Sequence, residues 1–240
     1  MDADGRVALF NLNPGEVRHE FFLSCLNLVV QDSQTSKHIG GVYPRIASGN
    51  LGIHRNEAAM FFYNDLPFEW MWFVDSDIQL AASTLDKLMK VADPKTAPIV
   101  SGLYINVGID GNIVPMVYNY GKAGEQTKFY PYTPNEIASY IENEETILAD
   151  GTGAGCLLIH RSVIERMVEY FGLPMPMFGN DIAEDVVNGE DFTFCLRAKK
   201  LNYPIHVICF KDLSHIKPHA ITAQHLIEVS QKETSDATAG

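Results

Sequence analysis

Several familiar chemistries are missing from this sequence. Its four cysteines, Cys25, Cys156, Cys195 and Cys209, are widely spaced with no C-x-x-C pair, so neither a zinc knuckle nor a redox dithiol is indicated. Cys25, Cys156 and Cys209 lie in apolar runs and read as reduced core thiols. No apolar run approaches the roughly 18 residues of a membrane-spanning helix. The start, Met1-Asp-Ala-Asp-Gly-Arg, is acidic and leads into only a short apolar stretch, so no secretory signal is expected and the compartment expected is the cytoplasm. There is no N-x-S/T sequon, no Walker A loop, no G-x-S-x-G and no internal repeat. The stretch Gly151-Thr-Gly-Ala-Gly155 is G-x-G-x-G before a strand pattern, so the dinucleotide fingerprint fails; its glycines are expected to let backbone approach a substrate. Basic residues are also scarce. Lys and Arg number 18 against 30 Asp and Glu, a net charge of −12, and residues 133–195 hold twelve acids and two bases. A chain so acidic is a poor sequence-blind binder of polyanions.

What is present is a core. The 240 residues are 46% apolar, which fits one domain over 1–231 and a polar, disordered tail over 232–240. Val7–Phe10 reads as a buried strand followed by a turn at Asn11-Leu-Asn-Pro-Gly. The spacing of apolar residues predicts helices over 16–31 and 51–66, with Ala58, Met60, Phe61 and Phe62 inward. Trp70–Val74 is a continuous apolar run, as in a strand covered on both faces. Ser83 reads as the cap of a short helix, with Asp86 three residues on. Strands are expected over 99–105, within 107–132 as antiparallel pieces, from 147, over 156–159 and over 205–210. Helices are expected over 134–143, 161–171, 190–201 and 220–231. Residues 172–189, rich in Pro and Gly, read as a mobile loop. Strands alternating with helices, then antiparallel strands, give an α/β fold with a mixed sheet. In such sheets ligands sit beyond the carboxyl ends of the strands.

Three clusters there carry chemistry. Asp75-Ser76-Asp77 ends the apolar strand, and two carboxylates on the same side of an extended chain call for a hard divalent cation. Glu190 and Asp191 open a helix whose buried side would fix Asp191 as a general base. His215, in Ser214-His-Ile-Lys217, follows a strand and can complete a metal site begun by carboxylates; with phosphate oxygens this favours Mn²⁺ over Mg²⁺.

Taken in order, these motifs resemble the GT-A glycosyltransferases, family 2 type, over residues 6–218. The resemblance adds the Gly-rich stretch leading into C-L-L-I-H-R-S-V-I-E-R-M, the G-E-D before F-T-F-C-L-R-A, and an Arg55-Asn56 stretch early in the second helix. It implies a Rossmann-like three-layer fold with a mixed, mostly parallel central sheet. The nucleotide-sugar half would span 1–105, the acceptor half 106–218, and a closing helix 219–231. It implies that Asn11 and Asn13 line the nucleoside pocket and that Arg55 and Asn56 support base and ribose, with Ser76 beside them. Asp75 would reach the ribose or the metal; Asp77 and His215 would ligate the metal, and Lys217 would neutralise the diphosphate. Gly153 and Ala154 would form the acceptor wall with Glu190, and Asp191 would deprotonate the acceptor. The partners implied are a nucleoside-diphosphate sugar, UDP being the family's commonest carrier, and an acceptor glycan, small molecule or hydroxymethylated DNA base. Stand-alone members of this size belong to bacterial and phage glycan chemistry. The first strand ends N-L-N-P where the family commonly has P-x-Y-N, and the absence of a Gln-Arg-Arg-Trp type motif points to addition of a single sugar; one well-placed base with no second carboxylate nucleophile nearby in sequence favours inversion. The rival reading is a haloacid dehalogenase-type phosphohydrolase with Asp75 as nucleophile.

Overall fold

A computed structural model describes residues 6–107, 112–123, 126–172, 177–183 and 186–217. The helix expected over 220–231 and the tail over 232–240 lie outside the described residues. In chain order the elements are β1 (Val7–Asn13), α1 (His19–Gln34), β2 (Ile39–Ile46), α2 (Leu51–Asp65), β3 (Trp70–Asp75), β4 (Ile78–Gln79), α3 (Thr84–Val91), β5 (Ile99–Gly102), β6 (Ile105–Val107) and β7 (Ile113–Pro115). Then come β8 (Val117–Ala123), β9 (Gln126–Pro131), α4 (Pro134–Glu142), β10 (Thr146–Ala149), β11 (Gly151–Thr152), β12 (Cys156–His160), α5 (Arg161–Phe171), β13 (Asp181–Ala183), β14 (Val186–Asn188), α6 (Glu190–Lys200), β15 (Ile205–Ile208) and β16 (Ser214–His215).

Seven strands form the central sheet in the order β10-β15-β5-β12-β3-β1-β2. Strands β2, β1, β3, β5 and β15 run one way, and β12 and β10 run against them. Alternate residues of each strand feed two cores, because successive side chains leave a strand on opposite faces. Val7, Leu9, Trp70, Trp72 and Val74 pack with Phe21 and Leu28 of α1 and Leu85 and Leu88 of α3. Ala8, Phe10, Leu12, Met71 and Phe73 pack with α2, α5 and α6 through Phe62, Met167 and Phe194. The Trp70–Val74 run is therefore apolar throughout because both its faces are covered.

The connection β1–α1–β2 crosses one face and β2–α2–β3 the other, so the winding reverses at β1. A reversal opens a crevice at the carboxyl ends of β1 and β3, where α/β sheets hold ligands.

Several expected elements differ. Strand β1 continues through Asn11 and Asn13 instead of turning, because both asparagine side chains satisfy each other and the neighbouring backbone. Helix α1 starts at His19, after Pro14 and Gly15 (φ +102°) have turned the chain. Ser83 makes no side-chain cap on α3; Asp86 accepts from Ser36 Oγ at 2.6 Å instead. Strand β5 stops at Gly102 and β15 at Ile208. Met60 and Phe61 are only partly buried, whereas Ala58 and Phe62 are fully buried. Cys156, Cys195 and Cys209 are buried free thiols, while Cys25 is half-exposed. The 172–189 segment is not loop throughout: β13 and β14 pair as a hairpin, and the Phe178 ring stacks on Phe194 at 4.7 Å in the core. Strand β2 was not foreseen.

Candidate functional site

A cavity of about 740 Å³ opens at the carboxyl ends of β1 and β3, within the size range of small-ligand sites. Asn13, Ala47 and Leu51 form part of its wall, and Asp75, Ser76 and Asp77 form another part. Arg18 and His19, at the start of α1, also line it. Sequence reasoning passed over this pair; their only signal was a basic dipeptide just after the first strand and its turn.

The D-x-D carboxylates have separate partners. Both oxygens of Asp75 accept from Arg55 Nη2 at 3.0 Å. Arg55 is 2% exposed, and its Nη1 reaches the Ala154 carbonyl at 3.4 Å. Burial raises the Asp75 carboxyl above the ordinary carboxylate value, with Arg55 pulling the other way and Asp77 adding to the rise. Burial opposes the charge on Arg55, yet Asp75 and Glu190 outweigh it and hold the guanidinium firmly protonated. In the phosphohydrolase reading Asp75 is the nucleophile; in the structure both of its oxygens share one donor, Arg55 Nη2.

Asp77 meets the late histidine. Its Oδ2 lies 3.0 Å from His215 Nε2 and 3.3 Å from Lys217 Nζ. Two short strands make this possible. β16 pairs antiparallel with β4, matching His215 to Ile78, and Ile216 N–H donates to the Asp77 carbonyl at 2.7 Å. The other ring nitrogen of His215, Nδ1, faces the Ile105 carbonyl at 3.1 Å, and the Tyr104 ring packs edge-on against the imidazole at 5.3 Å. Burial works against Asp77, but His215 and Lys217 outweigh it and keep its carboxyl below the ordinary range.

This donor set fits a divalent cation. A carbonyl can only accept, so Nδ1 carries a proton, and Nε2 is the ring nitrogen turned toward Asp77. Two acceptors 3.0 Å apart need either a second ring proton or a cation between them. An octahedral ion with ligands at about 2.1 Å sets adjacent ligands about 3.0 Å apart. Among the described residues no group of three or more His, Cys, Asp or Glu side chains gathers to hold a metal. Asp77 and His215 would therefore hold an ion only together with oxygens from a ligand or water.

The acid pair sits at the first turn of α6. Glu190 Oε1 is 3.7 Å from Arg55 Nε, and Phe192 N–H donates to Asp191 Oδ1 at 2.8 Å. Burial, reinforced by Glu190, pushes Asp191 up to about 6, with the Phe192 N–H and Arg55 pulling against it. Two tyrosines feel the same charge. Burial with Asp75 and Asp191 lifts Tyr104 well above its usual value, and burial with Asp191 lifts Tyr118 to about 12. Neither tyrosine carries a sequence signal.

Other expected site residues have these partners in the fold. Asn11 donates to the Val74 carbonyl, and Asn13 donates to Asn11 and accepts from Gly15 N–H, so their amides brace the end of β1. Asn56 is committed to backbone: it donates to the carbonyls of Gly52 and Phe178 and accepts from Phe178 N–H. Gly153 and Ala154 are buried, not an open wall; a Cβ on Gly153 would collide with the Tyr104 hydroxyl and lie 2.8 Å from Met116 Cε.

No family model and no curated protein matches the sequence. Solved structures do. A197 from STIV aligns with a TM-score of 0.50 at 15% identity over 90% of this chain and 97% of that one. GalNAc-T7, solved with UDP, GalNAc and Mn²⁺, aligns with a TM-score of 0.54 at 12% identity over 89% of this chain. The chain has a GT-A-like fold. At these identities the likeness extends to the fold alone, and the match covers 43% of the GalNAc-T7 chain. Among the described residues no helix is long and apolar enough to cross a membrane.

Proposed function

We propose that the chain is a metal-dependent glycosyltransferase that moves one sugar from a nucleoside-diphosphate sugar to an acceptor hydroxyl with inversion. The observation that carries the reading is the meeting of Asp77 and His215, 138 residues apart, at 3.0 Å beside the 740 Å³ cavity. The GT-A-like fold and the UDP and Mn²⁺ of the GalNAc-T7 structure support UDP as carrier and Mn²⁺ as ion.

In this reading the diphosphate lies over Asp75-Ser76-Asp77. Asp77 and His215 would hold a divalent cation there, and the charge it would supply stabilises a departing diphosphate. Lys217 is released from Asp77 and adds its ammonium to the same oxygens. Arg18 adds a second cation to the cavity lining. Asp191 takes the proton from the acceptor hydroxyl as that oxygen attacks the anomeric carbon opposite the leaving group. A carboxylate ionising at about 6 is mostly ionised near neutrality and more basic than an ordinary aspartate, which suits a general base. The acceptor is a glycan or small molecule in preference to a modified DNA base, because acids dominate 133–195.

The test is a thermal-shift screen of nucleotides and UDP-sugars with and without Mn²⁺, followed by NMR of the product anomer. Stabilisation by one nucleoside diphosphate only when Mn²⁺ is present, and a product anomer opposite to the donor's, are expected. Absence of any diphosphate-dependent shift would refute the donor site, and an anomer matching the donor would refute inversion.

A further inference from the structure

The most unusual side chain near the site is Arg55, a cation 2% exposed with one donor left over. Its Nη2 grips Asp75 and its Nη1 points at Ala154 O, but its Nε is buried without a hydrogen-bond partner. That Nε faces Glu190 Oε1 at 3.7 Å, just beyond hydrogen-bond reach. The two helices that carry Arg55 and Glu190 are brought this close on purpose of packing: a Cβ on Gly52, in the first turn of α2, would lie 3.0 Å from Glu190 Cβ and 3.3 Å from the Phe178 carbonyl. A methyl at 52 would require the first turn of α6 to give by a few tenths of an ångström. One guanidinium thus touches the donor-side carboxylate with one edge and faces the acid pair with another.

We propose that Arg55 is a positioning residue that links Asp75 on the donor side to Glu190 and Asp191 on the acceptor side, and through that link sets how readily Asp191 holds a proton. The proposal deepens the transferase reading and rests on it for the role of Asp191 as base; the electrostatic link itself does not. Glu190 bears on Asp191 from the same helix turn and disfavours its charge. Arg55 bears on it from α2 and favours it. Tyr104, after β5, and Tyr118, on β8, face it as neutral hydroxyls, and Cys195 one turn along α6 faces it as a neutral thiol. Of these, Arg55 is the cation and Glu190 the anion, so their pairing decides the balance. When a donor draws Asp75 toward its own groups, Arg55 is freed to close the 3.7 Å gap to Glu190, and the repulsion on Asp191 falls.

The experiment follows the carboxyl carbon of Asp191 by ¹³C NMR across pH, its signal assigned by loss in Asp191→Asn. In Glu190→Gln the midpoint should fall by about one unit, and in the charge-neutral pair Arg55→Met with Asp75→Asn it should rise by about one unit. Arg55→Lys should return it part of the way, since the charge survives but the fork does not. Gly52→Ala, which pushes Glu190 from Arg55 without changing a charge, should move the midpoint upward. If the Arg55 pair fails to fold, Glu190→Gln and Gly52→Ala still decide. A midpoint unmoved by both of those overturns the proposal. The titration needs no turnover, so an inert protein with shifting midpoints would refute the transferase reading and leave the link standing. In an active protein the acidic limb of the kcat profile should move with the midpoint in Gly52→Ala while KM for the donor is held, which a merely structural effect would not produce.

Discussion

Gly153→Ala tests whether Tyr104 is the hub of the site. Gly153 has no positive φ, so backbone strain does not enter. The objection is steric: the new methyl would strike the Tyr104 hydroxyl, and would lie 3.0 Å from Tyr104 Cζ and 2.8 Å from Met116 Cε. Tyr104 is 6% exposed and backed by the His215 ring, so it cannot swing into solvent. Overpacking of this kind costs about 1–3 kcal/mol. Moving the ring also removes the acceptor of Gly155 N–H, now at 3.2 Å, and a buried donor left unpaired costs about 1–3 kcal/mol more. The sum, roughly 2–6 kcal/mol, lowers Tm by on the order of 4–24 °C for a chain of this size. Calorimetry on Gly153→Ala, Tyr104→Phe and the double variant measures it. With the hydroxyl gone, the alanine should cost less, giving a coupling of at least about 1 kcal/mol. Because Tyr104 packs against His215, Gly153→Ala should also weaken Mn²⁺-dependent binding of UDP. A Tm within about 1 °C of the parent, or strict additivity in the cycle, would refute the reasoning.

Asp191→Asn should stop transfer and leave donor binding intact. Its effect on stability has a definite sign. Asp191 releases its proton at about 6 in the fold and near 3.8 when unfolded, so the folded chain loses stability as pH rises between those values. An asparagine escapes this, so the variant should be more stable at pH 7 by at most about 3 kcal/mol, with the difference vanishing below about pH 4 in pH-dependent melts. His215→Ala and Asp77→Asn should each abolish the Mn²⁺-dependent part of UDP stabilisation, read by thermal shift; a persisting metal-dependent shift would remove both from the ion. Thr133→Ala breaks the capping box in which Thr133 and Glu136 exchange hydrogen bonds with each other's backbone N–H, and should cost about 1 kcal/mol in urea melts without touching UDP binding.

Strongly patterned elements were readable in the sequence. The Trp70–Val74 run, the helix over 161–171 and the Glu190 helix carry apolar residues at spacings that only one kind of element satisfies. Strand β2 was not readable, because Ile39-Gly-Gly-Val-Tyr-Pro-Arg-Ile46 is an edge strand whose alternate residues are exposed, and two glycines and a proline dilute its signal. The β4 and β16 pieces are two residues each, too short for any period to show. The site was legible in part for the same reason. Asp75 and Asp77 announce themselves by following an apolar strand, whereas the partner of each carboxylate is set by tertiary contact. Arg55 was expected at base and ribose, and its pairing with Asp75 carried no signal in the sequence. Tyr104 acts through where a ring falls between Gly153 and His215, which no local spacing encodes.

The pairing of β16 with β4 has a consequence for biosynthesis. The ribosome completes β1, β3 and the cavity wall long before it reaches Ser214-His215, and at a typical ~5–20 residues per second the imidazole trails Asp77 by several seconds or more. Until that strand docks, Asp77 has neither His215 nor Lys217 beside it. A nascent chain that already carries both ends of β1 and β3 thus still lacks the pairing of Asp77 with His215.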